Sequence, residues 1–374
     1  MKICMVTTSE IFHDSRILNE AGTLAKSHQV TILARKYPKQ KNQKYPFKIK
    51  LIDFKKFPIF QLNIFSSFFS LAKAAFKENP DVYHAHDLDG LLCAIPAALR
   101  TRKILIYDSH ELWSDTFPFA NLRGIQWLLP ILEKISMWKV KSGITVNDSL
   151  AKILHLKYGK KFISLYNAPA KQKIIKTKLD LRKQFPNKKI ILHLGAADEG
   201  RGMEQMIEAS KLLPANFILA FIGGGKTENE LKTIIKKENL EKKVYFFPAV
   251  LPEQIIPIIK QVDLALALTQ PVSKSYYYSL PNKIFQYIAA ETPILGSNLP
   301  EFKKIILQNK IGEVVNPKKP RLIAEKILEN LKKSPQNKYR RNLVGLAKTR
   351  YNWTVEGKKL ELFYRDLEEM KNVS

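Results

Sequence analysis

Cysteine is scarce in this chain of 374 residues: there are two, Cys4 and Cys93. They sit in separate apolar runs, which leaves no disulfide or zinc framework and reads as buried thiols in a reducing compartment. Long hydrophobic runs are missing too, since no stretch reaches the roughly 20 apolar residues of a membrane span. The nearest, FPIFQLNIFSSFFSLAKAAF (57–76), is interrupted by Gln61, Asn63, three serines and Lys73. The run Ile3 to Val6 is too short for a signal peptide and reads as a first strand. No internal repeat of solenoid length and no low-complexity block occurs, which argues against solenoid and disordered classes.

Acidic residues are few, 34 against 62 lysines and arginines, for a formal charge of +28. Such a balance favours anionic partners: nucleic acid, acidic lipid headgroups or phosphorylated substrates. Nucleic acid is disfavoured, because the lysines are spread along the chain and no basic run interleaves with aromatics as stacking surfaces do. An anionic membrane surface stays open as a partner. Phe65, Phe68, Phe69, Ala72 and Phe76 recur at helical spacing, the mark of a helix packed on a sheet or of an interfacial membrane helix. The expected location is cytoplasmic, with a peripheral place on the inner face of the membrane as its extension.

Apolar residues make up 45% and charged residues 26%, a globular composition, and the length suggests two domains. Strand patterns fall at 2–8, 30–35, 49–54, 81–86, 103–109, 143–147 and 162–167, with helical patterns between most of them, as at 15–27, 88–100 and 124–140. Strand and helix in alternation mean a parallel sheet covered on both faces. The polar stretch 167–180 carries Pro169 and reads as a linker. A second set of strands follows in KKIILHLGA, FILAFIGG, KVYFFPA, DLALALT and PILGS, and from Lys318 onward the chain reads as helix only. The expected class is α/β: two Rossmann-like doubly wound parallel-sheet domains facing a central cleft, with the chemistry just after the strands.

Polar residues gather at those strand ends. In LHLGAADEGRGMEQMIEAS, Gly195, Gly200 and Gly202 surround Arg201, and FIGGG repeats the arrangement around Gly224 with Lys226 following. A plain strand-to-helix turn with a surface arginine would look the same. In SLPNKIFQ, Pro281 fits the first helical position, so that the amides of Asn282, Lys283 and Ile284 point outward and Lys283 adds a full charge. Three such helix mouths in one sheet, each with a cation, describe a diphosphate site. In the first half, YHAHDLDG sets His84 and His86 on one side of a strand end, with Asp87 and Asp89 beyond, and IYDSHELW adds Asp108, His110 and Glu111. The loop after the first strand brings His13, Asp14 and Arg16. Helix caps or satisfied surface polar groups are the plainer reading of each one alone. The two histidines lack a third ligand of defined spacing, so no metal is expected.

These segments resemble the group 1 glycosyltransferases, family 4, over nearly the whole length. DSRILNEAGTLAKSHQVTILAR resembles the family's first loop and helix; HAHDLDGLL and YDSHELW resemble the branch with a tyrosine-aspartate-serine-histidine-glutamate signature. YNAP resembles the interdomain hinge, GRGMEQMIEA the phosphate loop, and SLPNKIFQYIAAETPIL the stretch that holds diphosphate and ribose. The tryptophan-led final helix is similar to the one that crosses back to the first domain.

The resemblance implies a GT-B fold and a metal-independent, retaining transfer of a sugar from a nucleotide diphosphate donor to a glycan or lipid-linked acceptor in surface polysaccharide synthesis. It implies a domain for the acceptor over 1–167, one for the donor over 168–350, and a returning helix over 351–374. Arg201 and Lys283 would hold the diphosphate and His110 would face the transferred sugar. Gly195, Gly224, Val250, Pro281, Asn282, Ile284 and Gln286 would complete the donor site, with Val250 at the base. Asp14, Arg16, His86, Asp87 and Glu111 would line the acceptor side.

The chain also departs from the family. Tyr278 and Gln286 stand where two glutamates are frequent, Gly195-Ala196 replaces a Gly-Arg pair, and Glu291 replaces a glycine. A left-handed backbone at Glu291 would cost about 1–2 kcal/mol. These departures keep open a non-catalytic GT-B partner subunit. A nucleotide-sugar epimerase of the same fold is the third reading, without the extra acidic groups proton abstraction calls for.

Overall fold

The computed structural model describes residues 1–38, 44–58, 60–113, 128–170, 177–332 and 335–373. It divides into two compact units, Met1–Asn167 with Glu356–Ser374, and Ala168–Val355.

The first domain is built on strands β1 (Lys2–Thr7), β2 (Gln29–Arg35), β3 (Lys48–Ile52), β4 (Val82–His86), β5 (Ile104–Ser109), β6 (Ser142–Thr145) and β7 (Phe162–Ser164). They form one sheet in the order β3-β2-β1-β4-β5-β6-β7, with every pair parallel. The central strands are buried at nearly every position because helices cover both faces, as a parallel sheet requires. The order reverses direction between β1 and β4, where an open sheet has its crevice. Helix Ser15–Leu24 follows β1, started by Asp14, whose side chain accepts from the Ile17 amide. Helix Asp87–Thr101 follows β4.

The helix Trp353–Val373 contributes core to this domain through Leu360, Phe363, Tyr364 and Leu367. The Glu356 carboxylate accepts from the Tyr166 amide at 3.0 Å, tying the helix to the chain beyond β7.

The second domain repeats the plan with β8 (Lys189–Leu194), β9 (Phe217–Ile222), β10 (Val244–Phe247), β11 (Leu264–Ala267), β12 (Ile294–Ser297) and β13 (Gly312–Val315). The order is β10-β9-β8-β11-β12-β13, parallel throughout, with its reversal between β8 and β11.

The sequence reading differs from the structure in a few places. Strand β13 was not anticipated; its four residues, GEVV, are too short to show a period. Residues 124–127 of the helical pattern at 124–140 and residues 171–176 of the linker lie outside the described residues; helix Leu128–Met137 is the described part of the former. Helix Phe60–Glu78 buries Ser67, Leu71 and Ala75, whereas Phe65 and Phe69 of the phenylalanine stripe are 70% and 72% exposed. The aromatic stripe is therefore not the face that packs on the sheet.

Candidate active site

A cavity of about 420 Å³ opens at the carboxyl ends of β8 and β9 in the second domain. Its apolar lining comes from Leu194, Ile222, Ala249, Val250 and Ile255, and its polar lining from Arg201, Asn282, Lys283 and Gln286. Gly195, Ala196, Gly223, Gly224 and Pro281 complete it. Of the donor-side residues expected from the sequence, Gly195, Arg201, Gly224, Val250, Pro281, Asn282, Lys283 and Gln286 come together here.

Ile284 does not. Its side chain is fully buried, and its amide donates to the Pro281 carbonyl at 3.0 Å, so neither group faces the cavity. The cause is a helix start two residues later than expected. Asn282 is the cap of helix Lys283–Ala289, Pro281 precedes it, and the first turn closes tightly.

Lys283 is 8% exposed and its Nζ lies 3.0 Å from His193 Nε2. Burial, reinforced by the nearby Arg201 guanidinium, holds this lysine well below its ordinary pKa. Burial and the same two cations hold His193 well below the usual histidine range, so its imidazole is neutral. Among the described residues no carboxylate pairs with Arg201 or Lys283; the Arg201 guanidinium lies 5.2 Å from the Tyr276 ring centroid. Gly195, at φ +125°, lets the lysine in: a Cβ there would stand 3.2 Å from Nζ. The site thus holds two neighbouring cations, one buried and one half-buried, with room beside them for an anion.

The first domain gathers a different set at the ends of β4 and β5. Arg16 is 2% exposed and spends its fork inward. It meets Asp108 through Nε at 3.0 Å and Nη2 at 2.8 Å, the Leu165 carbonyl through Nη1 at 2.7 Å, and Glu20 at 3.1 Å. His86 is fully buried, with Nδ1 3.4 Å from Asp108. The acceptor-side expectation for Arg16 and His86 therefore does not fit where they lie: both belong to the domain's polar core. Asp14 caps its helix, and Glu111 is exposed.

His110 is held between two carboxylates, Nδ1 3.2 Å from Asp87 and Nε2 3.3 Å from Asp108. Burial opposes its charge, but Asp87 and Asp108 outweigh that and raise its pKa well above the ordinary value. Asp87 also accepts from the His110 amide at 2.9 Å and from Trp113 Nε1 at 2.7 Å, and its backbone is left-handed at φ +59°. A strained residue fixed by three donors is the kind of feature that marks a functional loop. Glu20, His84, His86 and Asp108 bring ligand-type atoms within 4.8 Å of one another, a set able to hold a cation. The Arg16 guanidinium already pairs with both of its carboxylates.

Two family models match the sequence, Glycosyl transferases group 1 over residues 176–350 and Glycosyltransferase Family 4 over residues 15–168. The chain belongs to the group 1, family 4 glycosyltransferases. No curated protein matches the sequence. Among solved structures, sucrose-phosphate synthase from Thermosynechococcus elongatus is similar with a TM-score of 0.79 at 14% identity, over 99% of this chain and 100% of that one. HepE from Anabaena in complex with UDP-glucose gives 0.77 at 14%, over 98% and 100%. WaaG, a glycosyltransferase involved in lipopolysaccharide biosynthesis, gives 0.67 at 15%, over 96% and 98%. These likenesses establish the GT-B fold of this glycosyltransferase.

Sequence reasoning missed His193 in this glycosyltransferase. A single histidine inside the apolar strand IILHL looks like core, and its partner lies 90 residues away. The signal available was the polar residue itself, which a buried strand keeps only with a partner.

Proposed function

We propose that the protein is a retaining glycosyltransferase that moves a sugar from a nucleotide diphosphate donor to a glycan or lipid-linked acceptor in surface polysaccharide synthesis. One observation carries the reading: Arg201 and Lys283 line one cavity without a carboxylate partner among the described residues. Burying a cation is costly unless something balances it. A diphosphate supplies that balance, and as the sugar departs it gains charge that the guanidinium and ammonium are placed to meet without a metal ion.

The apolar wall of Ile222, Val250 and Ile255 suits a nucleoside, and Gln286 can hydrogen-bond a ribose hydroxyl. HepE, of the same fold, was solved with UDP-glucose, and WaaG acts in lipopolysaccharide biosynthesis, which supports the donor and product classes. In this reading the first domain serves the acceptor, while His110 keeps both of its ring nitrogens on Asp87 and Asp108. Positive charge and the exposed Phe65 and Phe69 support a place on an anionic membrane surface.

The test is turnover of a panel of nucleotide diphosphate sugars, with the anomeric configuration of the product read by NMR. Transfer or slow hydrolysis of one donor with retained configuration is expected, and a loss of about 100-fold or more in Arg201→Ala and Lys283→Ala. Undiminished turnover in both variants would remove the site assignment. A second reading, a partner subunit that binds and does not turn over, is favoured by the neutral Gln286 on the cavity wall. Nucleotide binding without turnover of any donor would select it.

A further inference from the structure

The cavity cations are held in an unusual way, and the holding group has no assigned task. Lys283 is buried, so its ammonium needs a hydrogen-bond acceptor. A carboxylate would satisfy it, yet would also cancel its charge and compete with an incoming anion. The fold supplies a neutral acceptor instead. His193, on β8, is 1% exposed, packs edge-on against Phe221 of β9 with ring centroids 5.9 Å apart, and sets Nε2 3.0 Å from Lys283 Nζ.

We propose that His193 is a positioning residue for the donor diphosphate, its neutral imidazole accepting a hydrogen bond from the Lys283 ammonium and aiming that charge at the cavity. The inference rests on the donor-site reading above and deepens it. Two nitrogens 3.0 Å apart carry one proton between them, so a charged Lys283 fixes His193 as acceptor through Nε2. The remaining N–H groups of the ammonium are then free for phosphate oxygens.

Among the described residues, the charged group that acts on both members of the pair is Arg201, and it opposes protonation of each. On the lysine's own helix, Tyr287 is committed elsewhere: its hydroxyl donates to the Leu266 carbonyl at 3.0 Å and accepts from the Leu194 amide at 3.1 Å. Just past β8, the glycine surface of Gly195 also approaches Nζ and brings no charge. Without the imidazole, the ammonium has no internal acceptor among the described residues and loses its proton at lower pH. The diphosphate then loses its partner.

The experiment measures binding of UDP, GDP and ADP to the full chain by calorimetry from about pH 7 to about pH 10, where their diphosphates are ionised and lysine titrates. It compares wild type, His193→Phe and His193→Gln, each checked for folding by circular dichroism. The expected result is binding of at least one nucleotide, weakened about tenfold in His193→Phe. The alkaline fall-off should move to lower pH in that variant. His193→Gln, whose amide oxygen can accept the same hydrogen bond, should restore most of the affinity and the original fall-off. Equal affinity and an unmoved fall-off in His193→Phe would overturn the proposal. So would equal losses in both variants with the fall-off unmoved, which would show packing alone. Absence of binding by all three nucleotides in wild type would instead sink the donor-site reading, and this inference with it.

Discussion

Arg16 and Asp108 form a two-point ion pair inside the first domain, with Nε–Oδ2 at 3.0 Å and Nη2–Oδ1 at 2.8 Å. The side chains are 2% and 0% exposed. Three elements meet there: the helix after β1, the end of β5, and the Leu165 carbonyl beyond β7. Arg16→Met should leave Asp108 with only its histidine contacts, remove the arginine partner of Glu20, and cost about 3–5 kcal/mol. Arg16→Lys should recover only part of this, because a point charge cannot make both contacts. Denaturant unfolding checks it; a change below about 0.5 kcal/mol for Arg16→Met would mean the pair is not the tie described.

His110 predicts a pH dependence. Its folded pKa is raised well above its unfolded value by Asp87 and Asp108, against the opposing effect of burial. The stabilisation is therefore fully present below the unfolded value of about 6.5 and is lost as pH rises through the higher folded value. Thermal unfolding from about pH 6 to about pH 10 should show wild type losing stability on the alkaline side and His110→Gln losing less. Parallel curves for the two proteins would contradict the assigned charge.

Glu291 adopts φ +59° just past helix Lys283–Ala289, where a glycine closes such helices without strain. Its contact with Arg340 is long, 3.8 Å, and half-exposed, so it offsets little. Glu291→Gly should stabilise the protein by about 1 kcal/mol. A urea midpoint that falls rather than rises would count against this.

Much of the fold and of the lining of the second domain's cavity was legible in the chain, because alternating strand and helix periods and glycine-marked strand ends are local signals. Gly195 and Arg201 follow the end of β8, Lys283 lies on the connection from β11 to β12, and a doubly wound sheet brings such connections together. Burial was not legible. Arg16 and His86 carry chemistry that suits an acceptor site, yet the residues that enclose them come from afar. Asp108 lies 92 residues from Arg16, and Tyr364, whose hydroxyl lies 2.9 Å from His84 Nδ1, is 280 residues from its partner. Helix starts were imprecise for another reason. Pro281 is permitted both at the first helical position and just before the cap, and only the bond from Ile284 to Pro281 decides between them.

The exposed Phe65 and Phe69 test the membrane proposal. Flotation with vesicles containing anionic lipid should carry wild type upward, and Phe65→Ser/Phe69→Ser should float less by roughly tenfold in partition, given the apolar area removed. Wild type remaining wholly in solution would remove the membrane surface from the account.

The central claim is that Arg201 and Lys283 grip a diphosphate in the second domain. A crystal structure of the complex with whichever nucleoside diphosphate binds tests it most directly. The account predicts phosphate oxygens within hydrogen-bond distance, about 2.7–3.2 Å, of the Arg201 guanidinium and Lys283 Nζ, with the base against Val250. A diphosphate bound elsewhere, with both cations still facing an unfilled cavity, would contradict it.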